Sequence, residues 1–477
     1  MKYSLIDISD NIFDCGNIIN DLAIDRFINN IIGDSKKSNY ILNILKKPLK
    51  SKKAIIKRQQ VLKDFIKNKT AFKSLLDFFD RVDNLYDNIS ELPKNNYSII
   101  KNNENEEILK YSVNNTVEYA LKVTYLYKKF YEILSLYSFE SEIFSEIKRF
   151  LKDTIESKDF CDFENNCKSL LNLGYSNNKI SLSINLNENF KIFEAEISLS
   201  ENMDKPKSAF SFLKMQKPEN CYDFKYDVNA EEVFRKSLIN LINIIFKILK
   251  KLYDDIYGYS KEMIVFDFVF NLITVCEESK LNYCIPDIAD KEEKIFEAEN
   301  LYDPYLISYF YKTFKTAEKT VGNDIKLNNK GAVIVGKNKG GKTVFLRSLG
   351  ASQILAQCGL IVFSKNARIS IKENIITAFS KEEDNSLLKG SFESEAAYVS
   401  KEINNISQYT LVLFNEIFQT TAYDEGAAAL SDLIYIFEKI KINYLIVTHI
   451  IQLIPLLNER ISIYRTDNVN KYKIIQK

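Results

Sequence analysis

Gly336-Lys337-Asn338-Lys339-Gly340-Gly341-Lys342-Thr343 fits the spacing G-x-x-x-x-G-K-[ST] at every fixed position. The spacing has a physical basis. Glycines let consecutive backbone N–H groups close around a phosphate, and a helix starting at the far side adds partial positive charge. Immediately before it, Gly331–Val335 is a short apolar run, and from Thr343 the pattern turns helical. Strand, glycine loop and helix in that order predict a phosphate-binding turn. A glycine-rich strand-to-helix turn with no ligand is the alternative, and the flanking strand and helix weigh against it.

Two more apolar runs lie downstream. Thr410–Phe414 reads as a buried strand and ends in Asn415-Glu416. Tyr444–Val447 reads as another and ends in Thr448-His449, the single histidine of the chain. Continuous apolar runs separated by helices predict a mainly parallel sheet covered on both faces. Lys342 is placed to reach the β- and γ-phosphates and Thr343 to hold Mg²⁺. Glu416 is a carboxylate suited to polarise water near a γ-phosphate, although alone it reads equally as a solvated strand end. A lone histidine is more often structural, but the order of the three motifs makes His449 a γ-phosphate contact or switch.

Composition agrees with a folded chain. Of 477 residues, 46% are apolar and 27% charged, which excludes a wholly disordered polymer. No apolar run approaches the roughly 20 residues of a membrane span. Lys and Arg number 65 against 64 Asp and Glu, so nucleic acid is not held by bulk charge. The seven cysteines are scattered, without zinc-type pairs, and read as reduced thiols of a cytoplasmic protein. The N-terminus shows no secretion signal.

Glycines 331, 336, 340, 341, 350, 359, 390 and 426 are eight of the thirteen, so punctuation is concentrated at the back. The front reads as long helices. Phe234, Leu238, Leu241, Ile245, Ile248, Leu252 and Ile256 step by three or four, and Leu121–Phe150 is similar. Lys179–Ser200 alternates apolar and polar residues about Asn187-Glu188, which predicts a β-hairpin. Lys46, Lys47, Lys50, Lys52, Lys53, Lys57 and Arg58 form a basic cluster, read either as a solvated helix start or as a contact for DNA phosphates.

These motifs together resemble the MutS mismatch-repair ATPases. GKNKGGKTVFLRSLGASQILAQCGL is similar to the family's P-loop, helix and LAQ-x-G turn; LVLFNEIFQTTAYDEGAA to its LVLLDELGRGTS-x-x-DG segment; and IVTHIIQL to its ATHYHEL. Ser386–Glu395 resembles the signature STF-x-x-EM, Val321–Ile325 resembles PNDI, and Leu301–Pro304 resembles the RHP turn. Leu45–Leu49 through Ile56–Val61 resembles the start of the family's helical lever.

The resemblance implies nucleotide at a dimer interface, with Ser391 acting in trans and Lys342 and Thr343 in cis, and closure that moves long helices. It also implies departures. Asn415 stands where the family has Asp, which brings no charge to Mg²⁺ and implies weaker metal binding and slower turnover. Asp303 replaces the RHP histidine, and Phe418 and Thr420 replace glycines. Phe130-Tyr131-Glu132 carries the letters of the family's mismatch wedge but lies in a helical run. The chain is expected to lack both the N-terminal mismatch reader and the C-terminal helix-turn-helix.

The expectation is therefore an α plus α/β protein. Residues 1–284 form a long-helix lever domain with a small β insert at about 175–225, and residues 285–477 form a P-loop ATPase domain of the ABC/MutS type. Gly336, Asn338, Gly340, Gly341, Lys342, Thr343 and Ser391 bind ATP, Thr343 and Asn415 hold Mg²⁺, and Glu416, His449 and Lys342 are catalytic. Slow hydrolysis moves levers that act on DNA, in a homodimer or a heterodimer with a MutS-like subunit. The alternative is a nucleotide-gated protein-interaction module with little ATPase activity.

Overall fold

The computed structural model describes residues 4–6, 12–33, 35–92, 106–172, 180–186, 192–199, 230–336, 339–379, 391–403, 406–418, 422–457, 461–467 and 470–476. Contacts group the chain into two compact units, one of Met1–Leu5 with Asp64–Met263, the other of Ile6–Lys63 with Ile264–Lys477.

The second unit contains the glycine loop. Its six-stranded sheet has the order β12 (Ile474–Gln476), β11 (Ser462–Thr466), β6 (Ala332–Val335), β10 (Asn443–Thr448), β9 (Thr410–Asn415) and β8 (Asn374–Phe379). All neighbours are parallel except β11 and β12, so the sheet is mainly parallel as the apolar runs predict. β6, β9 and β10 are buried along their whole length, as strands covered on both faces must be. On one side α12 (Tyr423–Ile440) sets Leu430, Ile434 and Phe437 into a cluster with Val412, Phe414, Tyr444 and Ile446. A second sheet has the order β3 (Asp287–Ala289), β7 (Asn366–Ser370), β4 (Ile295–Leu301) and β5 (Asn323–Asn328).

The helix after the glycine loop, α10 (Lys342–Gln357), is buried nearly all round, with Phe345, Leu346, Leu349, Ile354 and Leu355 inside. Gly350 permits this. A Cβ there would lie 2.6 Å from both Leu22 Cδ2 and Leu413 Cδ1, so only glycine lets the helix wedge between them. The helix ends in a Schellman turn: Leu360 N donates to Leu355 O and Gly359 N to Ala356 O, each at 3.0 Å, with Gly359 at φ +72°. Residues 6–63 supply α1 (Ile24–Ile32), α2 (Lys36–Leu45) and the first part of α3 (Lys52–Lys67) to this unit. Another helix, α9 (Pro304–Phe314), is N-capped by Asp303, which accepts from Leu306 N at 2.7 Å.

The first unit contains α4 (Lys69–Asn84), α5 (Glu106–Leu136), α6 (Glu142–Glu156) and α7 (Lys158–Asn172). The hairpin lies here as β1 (Ile180–Leu186) antiparallel to β2 (Ile192–Leu199); its turn and the rest of the expected insert lie outside the described residues. The long helix expected from Phe234 is α8 (Ala230–Glu278), 49 residues or about 74 Å. A single helix over Leu121–Phe150 is not formed, because the chain breaks between Leu136 and Glu142, where Ser141 N-caps α6. Aromatic rings fill the core: Phe65 meets Phe72 and Phe144, and Phe130 meets Phe78, Phe79 and Tyr259. Phe130 is thus a core residue. The division between the units falls at Leu5/Ile6, at Lys63/Asp64 in α3 and at Met263/Ile264 in α8.

Candidate nucleotide site

The glycine loop and the end of β9 meet at one cleft of about 800 Å³, lined among others by Gly340, Gly341, Lys342, Thr343, Asn415 and Glu416. It sits at the carboxyl ends of parallel strands β6 and β9, where open α/β sheets place their ligands.

Backbone shape comes first. Gly341 has φ +86°, which a side chain would strain, and it leads directly into α10. A Cβ on Gly336 would lie 2.6 Å from Thr466 Oγ1 on β11. Asn338 lies outside the described residues. Residues Gly341 to Phe345, at the start of α10, line the cleft, and the first turn of a helix is where an anion finds backbone N–H groups.

Polar side chains then converge. Lys342 is 4% exposed; its Nζ donates to Gly336 O at 2.8 Å and lies 3.3 Å from Glu416 Oε1. Thr343 Oγ1 donates to Asn415 Oδ1 at 2.8 Å. Glu416 holds φ 55°, in the left-handed region, while its N–H donates to Val447 O at 2.8 Å. That turn swings its carboxylate back onto the end of β10. There Oε2 accepts from His449 N at 3.0 Å and meets His449 Nδ1 at 2.8 Å. Tyr423 packs edge-on to the imidazole, 5.8 Å between centroids. Lys342, Glu416 and His449 thus form one chain of contacts, and Thr343–Asn415 a second beside it. Ser391 opens α11 (Ser391–Ile403), and its side chain is not among the described residues.

Asp303 contributes in a way its spacing did not signal. Its side chain is fully buried, and Oδ2 pairs with Arg347 Nε on α10 at 2.6 Å. Burial pushes its carboxyl above the ordinary value, against the pull of Arg347. Arg347 lies over the Tyr305 ring at 4.8 Å. One side chain thus caps α9 and ties it to the helix that follows the glycine loop. The beginning of α9, with Leu306 and Phe310, forms part of the cleft wall.

Three of the seven residues of the basic cluster at the start of α3 are engaged within the unit. Lys52 pairs with Asp290 at 2.8 Å, Lys50 lies over Phe13, and Arg58 is buried. Among the described residues no group of His, Cys, Asp and Glu has the makings of a metal cluster, and no helix is long and apolar enough to cross a membrane.

Comparison with known proteins points the same way. Residues 332–473 match the family model MutS domain V. The DNA mismatch repair protein MutS of Prochlorococcus marinus strain MIT 9301 is 35% identical over 149 residues, 31% of this chain and 16% of that protein. The DNA mismatch repair protein MutS of Macrococcus caseolyticus is 26% identical over 291 residues, 58% of this chain and 33% of that protein. The mitochondrial DNA mismatch repair protein mutS homolog of Sarcophyton glaucum is 27% identical over 189 residues, 39% and 19% of the two chains. The matches thus span between 16% and 33% of these relatives.

Proposed function

We propose that this chain, whose residues 332–473 match MutS domain V, binds ATP in the cleft and hydrolyses it slowly. The observation that carries this reading is the convergence of Lys342, Thr343, Asn415, Glu416 and His449 from three separate segments.

The roles follow from the atoms. The N–H groups that open α10 accept the phosphates, and Lys342 exchanges Gly336 O for phosphate oxygens. Glu416 takes a proton from the attacking water. His449, hydrogen-bonded to its Oε2, holds the carboxylate in place. Thr343 Oγ1 and Asn415 Oδ1 are adjacent oxygen donors of the kind a hard cation takes, so the pair fits Mg²⁺. Bound there, Mg²⁺ supplies charge neutralisation of the phosphates. Asn415 gives that ion a dipole in place of a carboxylate, so binding is weaker and turnover slower.

We further propose that nucleotide state governs the long helices, and that their partner is DNA, as the names of the relatives suggest. The neutral Asn415 also favours a second reading, a nucleotide-gated module gripping another protein, such as a MutS-like subunit, with little hydrolysis. Dimerisation, through the same chain or a relative, and a trans role for Ser391 belong to the first reading.

The test is binding and turnover side by side. Lys342→Ala should weaken ATP binding by about a hundredfold, while Glu416→Gln should leave binding intact and cut turnover by about a hundredfold. Binding unaffected by Lys342→Ala defeats the site assignment. Turnover raised by duplex, branched or single-stranded DNA supports the first reading; ATP binding without turnover or DNA response supports the second.

A further inference from the structure

The chain has a single histidine, and its imidazole is held from two sides. Glu416 Oε2 meets Nδ1 at 2.8 Å and also accepts from His449 N at 3.0 Å. The Tyr423 ring stands across the imidazole, with 5.8 Å between centroids and 88° between planes. An ionised carboxylate only accepts, so the bond to Glu416 places the ring proton on Nδ1.

These two contacts do different things. The hydrogen bond fixes which edge of the imidazole faces the carboxylate. It leaves the plane of the ring free to rock, because the torsion that turns a flat ring is broad. A second ring set at right angles limits that rocking, in the edge-to-face arrangement that aromatic pairs favour.

Helix geometry brings the second ring there. Tyr423, Ala427, Leu430, Ile434 and Phe437 step by four and three along α12, so they share one stripe. The last four are buried in the cluster under the helix. Tyr423 comes one turn before them and is 53% exposed. Its ring meets His449 just beyond the end of β10. In the segment similar to LVLLDELGRGTS-x-x-DG, Tyr423 falls on the first variable position, so the contact is not written into that motif.

We propose that Tyr423 is a positioning residue for hydrolysis, acting through His449 on the Glu416 carboxylate. The proposal rests on the reading of the cleft as an ATP site. Tyr423 sets the plane of the imidazole, Nδ1–H then stays in line with Oε2, and the carboxylate keeps the direction it needs to take a proton from water.

Steady-state ATP turnover of the full chain with Mg²⁺ tests this. Tyr423→Ala should lower kcat by about tenfold, with KM for ATP within about twofold of wild type. Its urea midpoint should stay at the wild-type value, which separates a placing role from a stabilising one. Tyr423→Phe keeps the ring and should bring kcat back to within about threefold of wild type. In a His449→Ala background, Tyr423→Ala should cost nothing more, since the imidazole it acts through is gone. An undiminished kcat in Tyr423→Ala overturns the proposal, as does a loss of the same size without His449.

The single histidine supplies a second measurement that needs no turnover, and it decides where His449→Ala leaves too little activity to compare. In protein labelled only at its histidine nitrogens, NMR should show the Nδ1–H signal in wild type and Tyr423→Phe. In Tyr423→Ala that signal should be lost to exchange with water. Its survival in Tyr423→Ala, or its absence from wild type, overturns the proposal. A wild type that shows the signal but neither binds nor hydrolyses ATP overturns the reading of the cleft instead.

Discussion

At its first turn α10 presents Lys342 and Thr343 to a cleft of about 800 Å³; at its last turn Gln353 and Gln357, 0% and 1% exposed, present nothing to solvent. Both ends are rich in polar groups. At the first, the groups pair with one another beside an open cleft. At the last, every bond closes inward. Gln357 Nε2 donates to Leu49 O at 2.8 Å and Lys372 O at 3.0 Å, and its Oε1 accepts from Lys372 N at 2.9 Å and Gln353 Nε2 at 2.7 Å. Lys372 Nζ in turn donates to Asn443 Oδ1, and Asn443 Nδ2 to Lys330 O at 3.0 Å. One end of the helix is arranged to exchange partners, and the other to keep them.

Substitutions at the closed end should therefore cost stability, and substitutions at the open end should alter ligand affinity. The largest effect is expected for Gln357→Ala, which strands several buried donors and acceptors at a cost of about 5 kcal/mol. Urea unfolding should show it as a lowered midpoint. A midpoint within experimental error of wild type would break the contrast between the two ends.

Next is Lys372. Burial, with Lys294 adding repulsion, lowers its ammonium from the ordinary 10.5 to about 7. Below about pH 7 folded and unfolded states both carry the charge, and the folded state bears the full penalty, on the order of 4 kcal/mol. Between about 7 and 10.5 the unfolded chain holds the extra proton, so stability rises with pH. Above that range the penalty is gone. Unfolding followed from pH 6 to 10 should show this rise, and Lys372→Met should flatten it. An unchanged slope in the variant would remove Lys372 as the cause.

The smallest effect belongs to the open end. Asn415→Asp should tighten Mg²⁺ by about tenfold, or about 1.4 kcal/mol, with the urea midpoint nearly unmoved. Titration of Mg²⁺ against nucleotide-bound protein measures it. A large loss of stability in this variant would show that Asn415 belongs with the closed groups.

The same contrast explains what could be read in advance. The glycine loop, the Asn415-Glu416 pair and the apolar strands lie in short contiguous stretches, and local chemistry dictates them. That β6, β10 and β9 are parallel and covered on both faces follows from their continuous apolar runs. The closed end draws on residues 49, 58, 357, 372 and 443, far apart in the chain and each unremarkable alone. Arg58 reads as one more charge in a basic cluster until Cys358 is seen beside it, and Asp303 reads as a departure from a histidine until Arg347 is seen. That residues 6–63 fold with the C-terminal half has no local signal, since its apolar steps fit any helical neighbour. The break at Leu136 was hidden because Tyr137-Ser138-Phe139 continues the apolar spacing.

Phe418 carries a last consequence. It holds φ 62° where glycine would be at ease, yet it is only 5% exposed and belongs to the cluster under α12. A rearrangement of the turn after Glu416 that drew this ring into water would cost about 2–3 kcal/mol, which thins the rearranged population roughly a hundredfold. The turn that carries Glu416 is thus anchored as much by an aromatic ring in the core as by the polar groups beside it.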